Sequence, residues 1–254
     1  MERCVVFLYA LLGLLSGAFL NLAADHLPQR HGTLNLACCP YRQTESALVD
    51  NVSLLSFLLL RGRCRHCGAP HPWRRPVLEL VTMLTFAFFW LRYGASLRLI
   101  LITLYTCTLF LVFVIDLEHR LVLRVVIFPA IGMAILGSLF YPGLGVRRAL
   151  VGGALAFAFF YLVAIIGRLV FKRTAMGRGD ANLAAFIGVI TGFPEVIFAL
   201  IIAVCLGGLV SLVLVLSRIK RLQSYIPYGV FLVVGGLAIL VFGQEIIDWY
   251  FGLV

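Results

Sequence analysis

The chain has 254 residues, 62% of them apolar and only 13% charged, with a net charge of +10. An ordinary soluble domain is roughly 45–50% apolar and about 25% charged, so this chain lacks the polar side chains to cover a water-exposed core. That excludes a soluble globular enzyme, a disordered chain and a disulfide-rich secreted scaffold, and leaves a polytopic membrane protein.

Crossing ~30 Å of hydrocarbon takes ~20 residues of helix at 1.5 Å per residue. Apolar runs predict spans at about 3–24, 76–94, 97–115, 122–141, 147–171, 181–193, 195–216 and 226–249. The sixth is short, and its boundary with the seventh is set at Pro194. Backbone in hydrocarbon must satisfy its own hydrogen bonds, and these runs are too long for barrel strands, so the expectation is an all-α fold of about eight transmembrane helices. One polar segment, 25–75, is the expected small cytoplasmic insertion. The first run has a second reading, as a signal peptide with Leu22-Ala23-Ala24 near a cleavage site. Its length favours a span, and Gly13 and Gly17 give it the GxxxG spacing that lets helices approach closely.

In a soluble protein a charge of +10 would point to nucleic acid; in a membrane protein it reports topology, and no nucleic-acid partner is expected. With segment 25–75 inside, sixteen of the 21 Lys and Arg residues fall inside and five outside. This bias predicts that both termini face away from the cytoplasm. A cytoplasmic insertion stays reduced, so its cysteines are not expected to form disulfides.

The eleven acids carry the chemical information. Most lie in polar segments or at outer boundaries. Glu79, Asp116 and Asp180 lie within or against apolar runs, where an ionised carboxylate is costly, so such residues are functional candidates. Asp116 ends the third run, and Asp180 opens the sixth in Met176-Gly177-Arg178-Gly179-Asp180. Both fall at the same inner level on different helices. Two carboxylates held a few Å apart cannot both ionise easily, so one keeps a proton. The ionised partner can activate water while the protonated one polarises a carbonyl, which is the chemistry of aspartic proteolysis. Gly177 and Gly179 let backbone or substrate come close to Asp180. On the residues alone a structural reading stands beside this one: Asp180 caps the sixth helix and Asp116 ends the third at the water. Glu79 is expected to pair structurally with a loop arginine in preference to building a methyl-transfer site. His119 is expected to be a boundary residue in an exposed turn, not a base.

Longer stretches resemble the bacterial type IV prepilin peptidases, which are GxGD intramembrane aspartic proteases. Ala175-Met176-Gly177-Arg178-Gly179-Asp180-Ala181-Asn182-Leu183 is similar to their MGxGDxKL motif, and Ile115-Asp116-Leu117 followed by Pro129 to their first aspartate motif. Gly17-Ala18-Phe19-Leu20-Asn21 with Leu27-Pro28 resembles their GSFLN…RLP element, and Asn51 to Ser56 their NIPLLS element. Arg61-Gly62-Arg63-Cys64-Arg65-His66-Cys67 resembles their RGRCxxC loop. Pro76 to Thr82 is similar to the entry of their second span, and Ile226-Pro227-Tyr228-Gly229-Val230-Phe231-Leu232 to their IPFGPFL.

The resemblance implies an endopeptidase that cuts the leader from type IV prepilins or type II secretion pseudopilins at the cytoplasmic side of the bacterial inner membrane, after a glycine. It implies Asp116 and Asp180 as the catalytic pair, and methylation of the new N-terminus with S-adenosylmethionine as a second activity. The expected organisation is a methylase-like region over 1–95 and a six-span peptidase core over 96–254. Leader recognition is expected to rest on packing and anionic membrane lipid, since a basic protein does not attract a basic leader. Two alternatives stand: a peptidase that has lost methylation, and a transporter or scaffold with structural acids. The shared level of Asp116 and Asp180 speaks against a proton path, which needs polar groups spread through the membrane. The oligomeric state is left open.

The chain departs from the family pattern in places. Arg42 stands where the first CxxC would have its second cysteine, Leu123-Arg124 replaces Pro-Asp, and Asn182 stands where Lys is frequent. Val52-Ser53 and Val230 replace Ile-Pro and Pro. Cys64 and Cys67 after Cys38 and Cys39 suggest a tetrahedral thiolate zinc site. Cys39 matches the family as third ligand; the fourth is Cys38, or His31, His66 or His71. The alternative is a set of reduced thiols without metal. Arg61, Arg63, Arg65, Arg74 and Arg75 are expected to be solvated loop charges before contacts to anionic headgroups.

Overall fold

A computed structural model describes residues 2–28, 73–141, 143–171, 177–217 and 227–252. The described residues form eight helices: α1 Glu2–His26, α2 Arg74–Tyr93, α3 Leu97–His119, α4 Arg124–Phe140, α5 Val146–Phe171, α6 Arg178–Thr191, α7 Glu195–Leu216 and α8 Gly229–Gly252. Each expected span has its helix. Six are long and apolar enough to cross a membrane. The two shorter ones are α4, with 17 residues, and α6, with 14. At 1.5 Å per residue α6 reaches about 21 Å, short of the ~30 Å hydrocarbon core.

The chain divides into two compact units, Met1–Thr103 and Leu104–Val254. In the first, α1 packs along α2. Gly13 and Gly17 make this possible: a Cβ on Gly13 would lie 2.9 Å from Met83 Cα, and one on Gly17 2.7 Å from Glu79 Cα. The GxxxG spacing therefore acts as a packing surface, in which two missing side chains bring backbones together. Tyr9 stacks its ring near Phe86 and Trp90 and shares a 2.8 Å hydrogen bond with Thr103. At the other end of α1, Asp25 pairs with both Arg74 and Arg75, the latter at 2.8 Å. These two arginines are thus ion-paired, not freely solvated; Arg61, Arg63 and Arg65 lie outside the described residues. Glu79 is fully buried and accepts from Asn21 Nδ2 at 3.5 Å. The same amide nitrogen donates to the Arg75 carbonyl at 3.0 Å.

In the second unit α6 is the central element. It is buried along nearly its whole length, with Ala181, Leu183, Ala184, Phe186, Ile187, Val189 and Ile190 in the core. α4, α5, α7 and α8 all pack against it, and Tyr105 of α3 meets Phe186 edge-on at 6.2 Å. A helix too short to cross and apolar on every face is stable only when other helices surround it. Glycines allow that crowding on the α5 side: Gly152 and Gly188 face each other with backbones in contact, leaving no room for a Cβ on either. Gly192, at φ +79°, ends α6, and Pro194 precedes α7, where the sequence placed the break. α7 turns Leu209, Leu212, Val213 and Leu216 outward. Such a row of exposed leucines and valines calls for an apolar solvent.

Candidate active site

The site is built from three helix ends in the second unit. Asp116 sits one turn before the end of α3 and is 1% exposed. The helix continues past it to His119, and Arg120, at φ +55°, returns its N–H to the Asp116 carbonyl at 2.9 Å. The carboxylate therefore faces inward and does not end the helix at the water. Asp180 lies in the first turn of α6 and is 3% exposed. Gly177, not Asp180, occupies the cap position of that helix. Asp180 donates its N–H to the Gly177 carbonyl at 3.3 Å, and its carboxylate is hydrogen-bonded by the Gly177 backbone. Asp116 and Asp180 lie within electrostatic reach of each other. Both acids are buried: Asp116 does not end its helix at the water, and Asp180 stands inside the first turn of α6, not at its cap.

The third helix end belongs to α8. The backbones of Gly229 and Val230 hydrogen-bond the Asp116 carboxylate, with Val230 N–H reaching Oδ2 at 3.2 Å. The start of a helix offers unpaired N–H groups and the positive end of its dipole, so it suits a carboxylate. Gly229 is needed for the approach: a Cβ there would lie 2.7 Å from Asp116 Oδ2 and 3.0 Å from Cγ. Just ahead, Tyr228 packs between Phe160 and Phe231, with ring centroids 5.7 and 6.1 Å away, and lies within electrostatic reach of Asp180. The part this segment plays in the site is not legible from its sequence alone. The available signal was a Pro-Tyr-Gly step directly before an apolar run.

The two glycines of the aspartate loop differ. Gly179 packs onto the segment between α3 and α4, where a Cβ would meet Val122 Cβ at 2.7 Å. This holds the first turn of α6 beside the end of α3 and so brings the two acids together. Gly177 has φ −71°, open to any residue, and is exposed. His119 is exposed beside Glu118, as expected of a boundary residue. Among the described residues no three His, Cys, Asp or Glu side chains form a metal-binding group. Cys38, Cys39, Cys64 and Cys67, and the histidines that could join them, lie outside the described residues.

Two protein-family profiles match the chain: the Bacterial Peptidase A24 N-terminal domain over residues 11–93 and the Type IV leader peptidase family over residues 103–212. A prepilin leader peptidase/N-methyltransferase of Vibrio cholerae is 31% identical over 202 residues, covering 76% of this chain and 79% of the relative. The chain belongs to the type IV leader peptidase family. A family member of the same name from Myxococcus xanthus is 33% identical over 216 residues, covering 84% of this chain and 63% of the longer relative. One from Pseudomonas aeruginosa is 26% identical over 264 residues, covering 94% and 91%. No solved structure matches. Family membership and the six long apolar helices make the chain a multi-pass membrane protein.

Proposed function

We propose that the chain is an intramembrane aspartic endopeptidase that removes the leader of type IV prepilins or type II secretion pseudopilins, with Asp116 and Asp180 as its catalytic pair. The observation that carries this is two buried carboxylates from different helices, within electrostatic reach at one end of one helix bundle. One carboxylate takes a proton from water, and the resulting hydroxide attacks the scissile carbonyl. The other gives its proton to the carbonyl oxygen and so stabilises the tetrahedral intermediate. Collapse of that intermediate expels the new amine, which takes a proton from the first carboxyl, while a hydroxyl of the intermediate returns its proton to the second carboxylate, leaving the product acid and restoring both groups. Gly179 sets the spacing of the pair by its contact with Val122, and Gly177 caps the helix that presents Asp180. The Lys and Arg distribution supports an active site on the cytoplasmic face of the inner membrane. The outward leucines of α7 support direct contact with lipid.

The proposed division of labour gives the peptidase core to 96–254 and N-methylation to 1–95. The names of the relatives support the second activity. S-adenosylmethionine, when bound, supplies an electrophilic methyl group. Asn21 would hold it: its Oδ1 is buried without a hydrogen-bond partner among the described residues and suits an ammonium donor. Zinc held by Cys38, Cys39, Cys64 and Cys67 is proposed for the loop on donor chemistry, since four thiolates match its tetrahedral preference. The test of the function is direct. Purified chain in vesicles, given a membrane-embedded prepilin, should release the leader by cutting after a glycine and, with S-adenosylmethionine, methylate the new N-terminus. An intact prepilin after prolonged incubation would overturn the reading.

A further inference from the structure

Val230 lies in the first turn of α8 and presents a backbone N–H that a proline at this position could not supply. In this chain that N–H is used: it donates to Asp116 Oδ2 at 3.2 Å, beside the Gly229 backbone bonded to the same carboxylate. Asp180 receives a backbone hydrogen bond from Gly177. The two acids therefore differ in surroundings, and backbone donors favour the charged form of the carboxyl they touch. We infer that Val230 is a positioning residue, whose backbone N–H fixes the orientation of Asp116 and biases the pair so that Asp116 carries the negative charge and acts as the base. This rests on the proposed catalytic pair.

The donor comes from the first turn of α8, where no carbonyl within the helix competes for it. The bond is also specific in direction. With Gly229 close against one side of the carboxylate, Oδ2 is held towards α8 and the acid cannot swing away from that helix end. The titratable groups on the surrounding elements are Asp180 on α6, Tyr228 ahead of α8 and Cys205 on α7, which faces Tyr228. None of them is itself altered by a substitution at position 230, and the alanine form separates the loss of the N–H from a change in packing.

The experiment compares pH–rate profiles of prepilin cleavage in vesicles. Val230→Pro removes the N–H at a helix start, where proline is tolerated. Replacing Val230 by its α-hydroxy analogue, which converts the amide to an ester, removes the same N–H and keeps the side chain. Val230→Ala keeps the N–H and trims the side chain. The acid limb of the profile should move to higher pH by about one unit in the proline and ester forms, the order expected of one lost N–H donor to a carboxylate. In Val230→Ala it should stay at the wild-type position. If the proline form does not fold, the ester form decides. An ester form that titrates like wild type overturns the inference, as does an alanine form that shifts with the others, which would assign the effect to packing. Asp116→Asn separates this from the underlying reading: if that variant is inactive while the ester form titrates normally, the pair stands and only Val230 loses its role.

Discussion

Gly229→Ala is the sharpest steric perturbation of the site. The added methyl would lie 2.7 Å from Asp116 Oδ2, 0.7 Å inside the 3.4 Å at which ordinary contact begins, and 3.0 Å from Cγ. Leu183 Cδ2 lies at 3.4 Å, so the methyl also meets α6 at the limit of ordinary contact. Overpacking of this kind costs about 1–3 kcal/mol. The carboxylate must yield, and a displacement near 1 Å in a reacting group costs about 10²-fold in rate. Cleavage by Gly229→Ala should therefore fall by about two orders of magnitude, with a modest loss of thermal stability. Gly208→Ala is the control, since a Cβ there meets nothing within 4 Å; as a helical Gly→Ala change it should leave stability equal or higher by about 0.5–1 kcal/mol. The assay is initial-rate cleavage of a prepilin in vesicles, paired with thermal unfolding of both variants. Wild-type cleavage by Gly229→Ala would refute the packing of α8 against Asp116.

Gly17→Ala pushes a methyl into Glu79 and Thr82 across the α1–α2 contact and should destabilise the first unit by about 1–3 kcal/mol, read as a lower thermal midpoint. An unchanged midpoint would count against that contact. The loop should bind about one zinc per chain, the stoichiometry of a four-thiolate site, and Cys64→Ser should lower it sharply; elemental analysis without chelators finding no metal would reject the site. The charge distribution predicts that Cys64 is shielded from an impermeant thiol reagent in intact cells, and labelling from outside would reverse the topology.

Continuous apolar runs made the helices readable one by one, because hydrocarbon demands both length and composition from each. The differences sit at the ends. α3 runs to His119, not 115, and α6 starts at Arg178, not 181. In both cases polar residues next to Asp116 and Asp180, Glu118 and Arg178 among them, lower local hydropathy although the backbone stays helical. The acids themselves were visible, since carboxylates are rare in such a chain and their level follows from the topology. Their surroundings were not. Val230 is 114 residues from Asp116, and no local pattern encodes which helix end meets which side chain. The pairing of Asp25 with Arg74 and Arg75 was hidden for the same reason: it joins two helices separated by the long polar insertion.

The central claim is that Asp116 and Asp180 act as one catalytic unit, and replacing each by asparagine tests it most directly. Asparagine keeps the size and much of the hydrogen bonding of aspartate but can serve neither as base nor as acid. Prepilin cleavage should be abolished in Asp116→Asn and in Asp180→Asn, with membrane insertion and protein level close to wild type. The double variant should be no worse than either single, because residues that act together are not additive. Either single variant processing prepilin at close to the wild-type rate would contradict the account.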